Sequence, residues 1–265
     1  MESEKDAGAG PPGPAVPAIL MYHSISPDED DPYDITVRPE RFDQQMRWLR
    51  RAGRRGTSVG QLLDAHRRGA ANGLVGLSFD DGYADFTEYA LPVLQRYGFG
   101  ATMFAPAGLL GADNAWDPEG PRKALLSAAQ LREVAAAGIE VGSHGFRHLS
   151  LPASSDTDLA REVGESRDIL RDVTGHDADG FCYPFGHLDE RVIDRVERAG
   201  YSYGCAVWDA EFAGRYALAR EYIRDTDSPR SLWTRGARRW LRQEYRGPGS
   251  RVLRGATRAG ARTAP

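Results

Sequence analysis

The feature that most constrains the fold is an alternation of short β-rich runs with longer segments of helical period, beginning at Ala18. The predicted strands are AILMY (18–22), LVGLSF (74–79), ATMFA (101–105), IEVGS (139–143), FCYPF (181–185), YSYGCAV (201–207) and ALAREYI (217–223). The predicted helices are 39–52, 59–68, 84–97, 128–137, 156–173, 189–199 and 229–242. Strands that alternate with helices form a parallel sheet, either open or closed into a barrel.

Four polar clusters follow predicted strands directly, and their spread favours a barrel. His23 follows the first strand, Asp80 and Asp81 the second, the segment 144–148 the fourth, and Phe185-Gly186 ends the fifth. In a closed barrel the carboxyl ends of all strands reach one shared face. An open doubly wound sheet usually carries a glycine-rich phosphate loop after its first strand, and none is visible. We therefore expect an α/β fold of TIM-like barrel type.

The chain length fits one large domain with tails. At 265 residues, with 41% hydrophobic and 27% charged residues, the composition is that of an ordinary globular protein. Residues 1–17 are rich in Pro, Gly and Ala and are expected to form a disordered arm. We place the folded barrel at 18–245 and a basic disordered tail at 246–265.

The charge is distributed unevenly. Residues 230–265 hold ten Arg and one Glu, a net charge of +9, which leaves −13 for the remainder of a chain whose total is −4. The expected helix 229–242 has apolar residues at helical spacing and should pack on the barrel. The five Arg beyond it are expected to be solvated, although weak contact with an anionic surface is an alternative. No nucleic-acid partner is expected.

Signals for export are not visible in the sequence. The start MESEKDAGAGPPGPAVP lacks the basic and apolar segments of a secretory signal, and no run approaches the roughly 18 apolar residues of a spanning helix. A cytoplasmic location is the expectation. Cys182 and Cys205 are too few for a disulfide framework and are predicted to be reduced thiols.

The paired carboxylates of FDDG, residues 79–82, have two interpretations. At the end of a strand, adjacent carboxylates can serve one site in different roles, one binding a metal and the other handling a proton. Alternatively, Asp81-Gly82 is an ordinary turn and Asp80 caps the helix that begins near Ala84. The pair alone does not decide between them.

The segment SHGFRH, residues 143–148, favours a metal site. His144 and His148 are four residues apart, which would place both imidazoles on one side of a helical turn. Two imidazoles and one carboxylate form a three-ligand site that keeps a position open for water. His23 alone would more often be a structural histidine. The loop FCYPFG, residues 181–186, could direct backbone N–H groups at an oxyanion or be an ordinary turn.

These motifs, in this order and at this separation, resemble the NodB-homology polysaccharide deacetylases, carbohydrate esterase family four. The resemblance runs from about Ile19 to Ile223, most of the predicted folded part. It implies a distorted (β/α)7 barrel and removal of the N-acetyl group from N-acetylglucosamine units. The form YPFG together with the N-terminal YHS is similar to the branch that includes poly-N-acetylglucosamine deacetylases.

The resemblance also implies roles for individual residues. Asp80 matches the general base, and Asp81 matches a metal ligand. His144 and His148 match the other two ligands of the metal. Phe185 matches the aromatic residue whose backbone N–H binds the oxyanion.

Two departures from the family pattern change the expected acid. Many members have Arg at the position of Cys182, where it pairs with the catalytic Asp, and carry a late Leu-x-His whose His is the acid. Here ALAREYI offers Arg220 and no His. In the branch named above the acid is the His after the first strand, which matches His23. The role of Arg220 stays open.

Several alternatives remain at the level of the sequence. The same scaffold could hydrolyse another amide or C–N bond, or the chain could be a carbohydrate-binding protein that has lost catalysis. Retention of the base beside the metal ligands argues against a lapsed enzyme. Two His and one Asp suit Zn and also Co, Ni or Mn, and Zn is the ion that we expect. The expected partner is an acetylated amino sugar.

Overall fold

A curled sheet of eight parallel strands forms the centre of the protein in a computed structural model that describes residues 18–28, 30–207, 214–228 and 231. A separate two-stranded pair, β2 and β3, accompanies it. The strands are β1 Ile19–Tyr22, β2 Ser24–Ile25, β3 Thr36–Val37, β4 Arg55–Thr57, β5 Leu74–Phe79, β6 Thr102–Ala105, β7 Glu140–Ser143, β8 Gly180–Cys182, β9 Tyr203–Cys205 and β10 Glu221–Tyr222.

The strand order is β10-β1-β5-β6-β7-β8-β9, with β4 also paired to β5. At the far end, Cys205 of β9 forms a parallel bridge with Leu218, and Leu218 accepts a backbone hydrogen bond from Ala206 at 2.8 Å. Three residues later, β10 pairs with β1. The expected distorted (β/α)7 barrel is confirmed as a curled parallel sheet covered by helices.

All seven predicted strands are present, but the last three are shorter than predicted. The strand expected at 181–185 ends at Cys182 and is followed by a 3-10 turn at Pro184–Gly186, 201–207 is reduced to Tyr203–Cys205, and 217–223 to Glu221–Tyr222. The sequence reading missed β4 and the pair β2–β3, which are two or three residues long and carry no alternating apolar pattern. Strands this short form through pairing with a neighbouring strand, and they are too brief to show a period of two in the sequence.

The predicted helices within the described residues are present with small shifts at their ends. The ranges 84–97 and 156–173 are each interrupted by a π-helical turn, at Phe86–Ala90 and Arg161–Glu165. Ser127 and Gln130 form a capping box at the start of the helix Ala128–Ala136. The helices are α1 Pro39–Arg51, α2 Val59–Arg67, α3 Leu91–Tyr97, α4 Ala128–Ala136, α5 Asp156–Ala160, α6 Ser166–Thr174 and α7 Glu190–Arg198.

Hydrophobic side chains are buried on both faces of the sheet, as a sheet with parallel strands requires. The larger cluster joins the sheet to the helices through aromatic contacts, such as Tyr22 stacked on Phe79 with ring centroids 5.3 Å apart. A smaller cluster contains Phe104, Cys182 and Cys205. Residues Phe181 and Cys182 belong to different clusters because successive side chains of a strand point to opposite faces.

Several predictions lie outside the described residues. These are the arm 1–17, most of the helix 229–242 and the basic tail 246–265. Within the part that the structure describes, no helix combines the length and the apolar character needed to cross a membrane.

Candidate active site

The carboxyl ends of β1, β5, β7 and β8 bring the predicted site residues to one edge of the sheet. Tyr22 and Phe79 are register partners, so His23 and Asp80 follow adjacent positions of neighbouring strands. The N–H of Asp80 donates to the carbonyl of Tyr22 at 2.9 Å, and the N–H of His144 donates to that of Ala105 at 2.9 Å. Parallel pairing thus gathers residues that are far apart in sequence.

Asp81, His144 and His148 converge on one point. The Oδ1 atom of Asp81 lies 3.1 Å from Nε2 of His144 and 3.2 Å from Nε2 of His148. All three residues are buried, with exposures of 5%, 2% and 5%. The prediction that the two histidines lie on one helical turn is wrong, because residues 144–150 form a loop in which His148 has a φ of 58°. A left-handed residue turns its side chain back toward Asp81 without helical spacing.

The two imidazoles are held in different ways. The Nδ1–H of His144 donates to the carbonyl of Cys182 at 2.9 Å, which fixes the tautomer that leaves Nε2 free to bind. The buried Nδ1 of His148 has no hydrogen-bond partner among the described residues. Its ring instead lies between Trp116, stacked at 4.2 Å, and Phe185, edge-on at 4.5 Å.

This donor set suits a divalent metal ion. Two imidazole nitrogens and one carboxylate oxygen are the ligands of many open catalytic zinc sites, in which water takes the remaining position. Burial alone would raise the pKa of Asp81, but its close contacts with the imidazoles of His144 and His148 hold that pKa well below its ordinary value. The residues present therefore fit the metal that the sequence predicts.

Asp80 is bound by Arg220, whose role the sequence left open. Nη1 and Nη2 of Arg220 lie 2.6 and 2.7 Å from the two carboxylate oxygens, and Nη1 also donates to Ser78 at 3.1 Å. Burial acts to raise the pKa of Asp80, but the charge and hydrogen bonds of Arg220, together with the nearby His144 and His23, outweigh burial and lower that pKa. The capping interpretation of Asp80 is wrong, because the next helical turn begins only at Phe86 and both carboxylate oxygens bind Arg220.

Cys182 completes the surroundings of Asp80. Its thiol donates to Oδ2 of Asp80 at 3.3 Å and accepts from Nη2 of Arg220 at 3.0 Å. Both Cys182 and Cys205 are free thiols, as predicted. The guanidinium that many members of the resembled family place at position 182 is thus supplied here from position 220.

His23 and Phe185 lie beside the same site. His23 is half-buried, its ring centroid is 5.4 Å from that of Tyr222, and it lies close enough to lower the pKa of both Asp80 and Asp81. The buried Nδ1 of His23 has no partner within the described part of the chain. Phe185 has a φ of 59° and an exposed ring, so its loop faces the mouth of the site.

Sequence reasoning missed two residues at the site. Trp116 covers His148, and Asp117, beside it, has its pKa raised to about 6 by burial and by the Asp81 charge. Both lie in ADNAWDPEGP, a stretch without a motif between β6 and α4.

The chain is similar in sequence to several known proteins. YxkH of Bacillus subtilis, whose own assignment as a polysaccharide deacetylase is provisional, is 29% identical over 212 residues, covering 78% of this chain and 71% of that protein. The poly-β-1,6-N-acetyl-D-glucosamine N-deacetylase of Escherichia coli is 27% identical over 221 residues, covering 69% of this chain. The matched region is only 32% of that E. coli protein.

Solved structures share the fold. A Streptococcus pyogenes deacetylase, PplD, determined in complex with acetate, superposes with a TM-score of 0.72 at 28% identity over 83% of this chain and 98% of that one. IcaB from Ammonifex degensii superposes with a TM-score of 0.68 at 22% identity over 84% of this chain and 98% of that one. The sequence profile of the family described as polysaccharide deacetylase matches residues 67–204, just over half of the chain. The chain therefore belongs to the polysaccharide deacetylase family.

Proposed function

We propose that the chain is a metal-dependent hydrolase that removes the N-acetyl group from saccharides or glycoconjugates containing N-acetylglucosamine. The observation that carries this proposal is the contrast between two adjacent carboxylates. Asp81 points at two imidazoles, whereas Asp80 is held by Arg220. The relative named poly-β-1,6-N-acetyl-D-glucosamine N-deacetylase supports an amino-sugar substrate.

Asp81, His144 and His148 would hold the metal, and Zn²⁺ is the ion that we propose, with Co²⁺, Ni²⁺ or Mn²⁺ as alternatives. A divalent ion held by these three residues would supply polarisation of the acyl carbonyl and a lowered pKa of water. The tautomer of His144, fixed by the carbonyl of Cys182, presents Nε2 as the ligand atom.

Asp80 is placed to act as the general base. Its lowered pKa keeps it ionised near neutral pH. Oδ2 accepts from both Arg220 and the Cys182 thiol, whereas Oδ1 retains a lone pair beyond the one that accepts from Arg220. The oxygen of water attacks the acetyl carbon while Asp80 accepts its proton. The bidentate Arg220 keeps the carboxylate from rotating, which maintains the geometry that proton transfer requires.

His23 and the Phe185 backbone complete the reaction in this proposal. The N–H of Phe185 donates to the oxyanion that forms on the acetyl oxygen. His23 gives a proton to the departing amine nitrogen, the C–N bond breaks, and the products are acetate and a free amino sugar. The influence of His23 on both carboxylates supports its place at the site.

The test is acetate release from a panel of substrates by purified protein of known metal content. The panel contains N-acetylglucosamine oligomers with β-1,4 and β-1,6 linkages, monomer derivatives, acetylated xylan and a formamide. Metal-dependent release of acetate from an amino sugar is the expected result. A metal-loaded protein that acts only on the formamide would replace the proposal with hydrolysis of another amide.

A further inference from the structure

Glu162 is a fully buried carboxylate that contacts the loop between the two histidine ligands. It lies in the π-helical turn Arg161–Glu165, and its exposure is 0%. Its Oε2 accepts from the backbone N–H groups of Phe146 and Arg147, each at 2.8 Å, and its Oε1 accepts from Nε of Arg147 at 2.9 Å. An ion buried in this way is stable only where such donors compensate its lost hydration.

The opposite side of the same loop is also hydrogen-bonded. The carbonyl of Gly145 accepts from the N–H of Ala107 at 3.0 Å, and the carbonyl of Phe146 accepts from the N–H of Gly108 at 2.8 Å. Gly145 has a φ of 78°, and a Cβ at this position would lie 3.2 Å from Oε2 of Glu162. The close approach of the carboxylate therefore depends on a glycine.

His148 directly follows the segment whose backbone is hydrogen-bonded on both sides, but its own ring is not oriented by a hydrogen bond at Nδ1. His144 is oriented by the Cys182 carbonyl, but Nδ1 of His148 has no partner within the described residues. The His148 ring contacts Trp116 and Phe185, which restrict the tilt of the imidazole but form no hydrogen bond that would orient it. The position of its Nε2 is consequently set by the backbone that carries it.

We propose that Glu162 is the positioning residue for His148: by binding the amides of Phe146 and Arg147 it fixes the loop that aims Nε2 of His148 at Asp81. This inference rests on the metal site of the proposed function and adds a determinant of its affinity. The carbonyl of Cys182 orients the His144 imidazole directly, whereas Glu162 orients His148 indirectly, by holding the backbone before it. Outer partners of metal ligands typically contribute about 10-fold to 100-fold in metal affinity.

Glu140 offers a matched control within the same chain. Its carboxylate also accepts three hydrogen bonds, from the N–H of Gly60 at 3.0 Å, the hydroxyl of Thr102 at 2.9 Å and the hydroxyl of Tyr203 at 2.8 Å. It lies at the start of β7, whereas His144 follows the end of that strand. Substitution of the half-buried Glu140 removes the same number of accepted hydrogen bonds, from neutral donors, away from the ligand loop.

The experiment compares Glu162→Gln with Glu140→Gln by competition of the full chain with a zinc chelator, alongside thermal unfolding of the zinc-free proteins. We expect Glu162→Gln to weaken zinc affinity about tenfold or more, and Glu140→Gln to leave it within about threefold, whatever each substitution does to Tm. In the zinc-free state, hydrogen exchange at the amides of Phe146 and Arg147 should be faster only in Glu162→Gln.

Unchanged zinc affinity in Glu162→Gln, or equal losses in both variants, would overturn the inference and leave Glu162 as a structural residue. If Glu162→Gln does not fold, Glu162→Asp keeps the charge with a shorter reach and is judged by the same comparison. A wild-type protein that binds no zinc or other divalent ion would instead refute the proposed metal site itself.

Discussion

Arg220 binds both carboxylate oxygens of Asp80, at 2.6 and 2.7 Å, although the two residues lie 140 positions apart in sequence. Both are almost completely buried, with exposures of 1% and 3%. Removing one partner of such a pair leaves an uncompensated buried charge and costs about 3–5 kcal/mol. The pair therefore serves the stability of the barrel and the orientation of the proposed base together.

Arg220→Lys tests whether Arg220 orients the carboxylate of Asp80, because lysine keeps the positive charge but cannot form the bidentate hydrogen bonds. We expect kcat to fall about tenfold or more, corresponding to about 1.4 kcal/mol, while KM changes little, since Arg220 is not proposed to touch substrate. Steady-state kinetics measure both constants. The control is Arg38→Lys, which alters an exposed pair with Asp225 and should leave both unchanged. Wild-type kcat in Arg220→Lys would contradict the role.

His23→Gln tests the proposed proton donor. Loss of general acid catalysis should lower kcat by about 100-fold to 10,000-fold. Zinc affinity should stay within about threefold of wild type, because His23 lies outside the ligand cluster. His66→Gln, a half-buried histidine of α2, is the matched control and should retain full activity. Retained activity in His23→Gln would move the acid role to another group.

The two cysteines should be chemically inert in the folded protein. Both are fully buried, and burial raises the pKa of the Cys205 thiol to about 12 and that of Cys182 well above its ordinary value. Only the thiolate reacts with alkylating agents at an appreciable rate. Mass spectrometry after iodoacetamide treatment should find label on either residue only in denaturant. Rapid labelling of Cys182 in the native protein would contradict its contact with Asp80.

Asp85 should make stability fall as pH rises between about 4 and 7. Burial raises its pKa to about 6, although Ser24 and the N–H of Ile25 donate to it. A carboxyl whose pKa is higher in the folded than in the unfolded state opposes folding when it ionises. Relative to Asp85→Asn, wild type should therefore lose stability across this range, which chemical denaturation at several pH values measures. A difference that is independent of pH would refute the prediction.

The sequence alone predicted the order of strands and helices and the residues at the strand ends. It succeeded because parallel pairing places residues such as His23 and Asp80 at one edge wherever strands of this kind assemble. It did not predict which group binds Asp80, since Arg220 reaches it only after the last strand has returned beside the first. Trp116 and Glu162 were missed because their contacts depend on loop paths that no periodic pattern encodes.

The most direct test of the account compares Asp80→Asn with Asp81→Asn, measuring bound zinc and acetate release from N-acetylglucosamine oligomers in the same preparations. We predict that Asp80→Asn keeps the metal and loses turnover, because only the proton acceptor is removed. Asp81→Asn should lose both, because a ligand is removed. An active Asp80→Asn protein, or an Asp81→Asn protein that binds zinc as tightly as wild type, would contradict the division of labour between the two carboxylates.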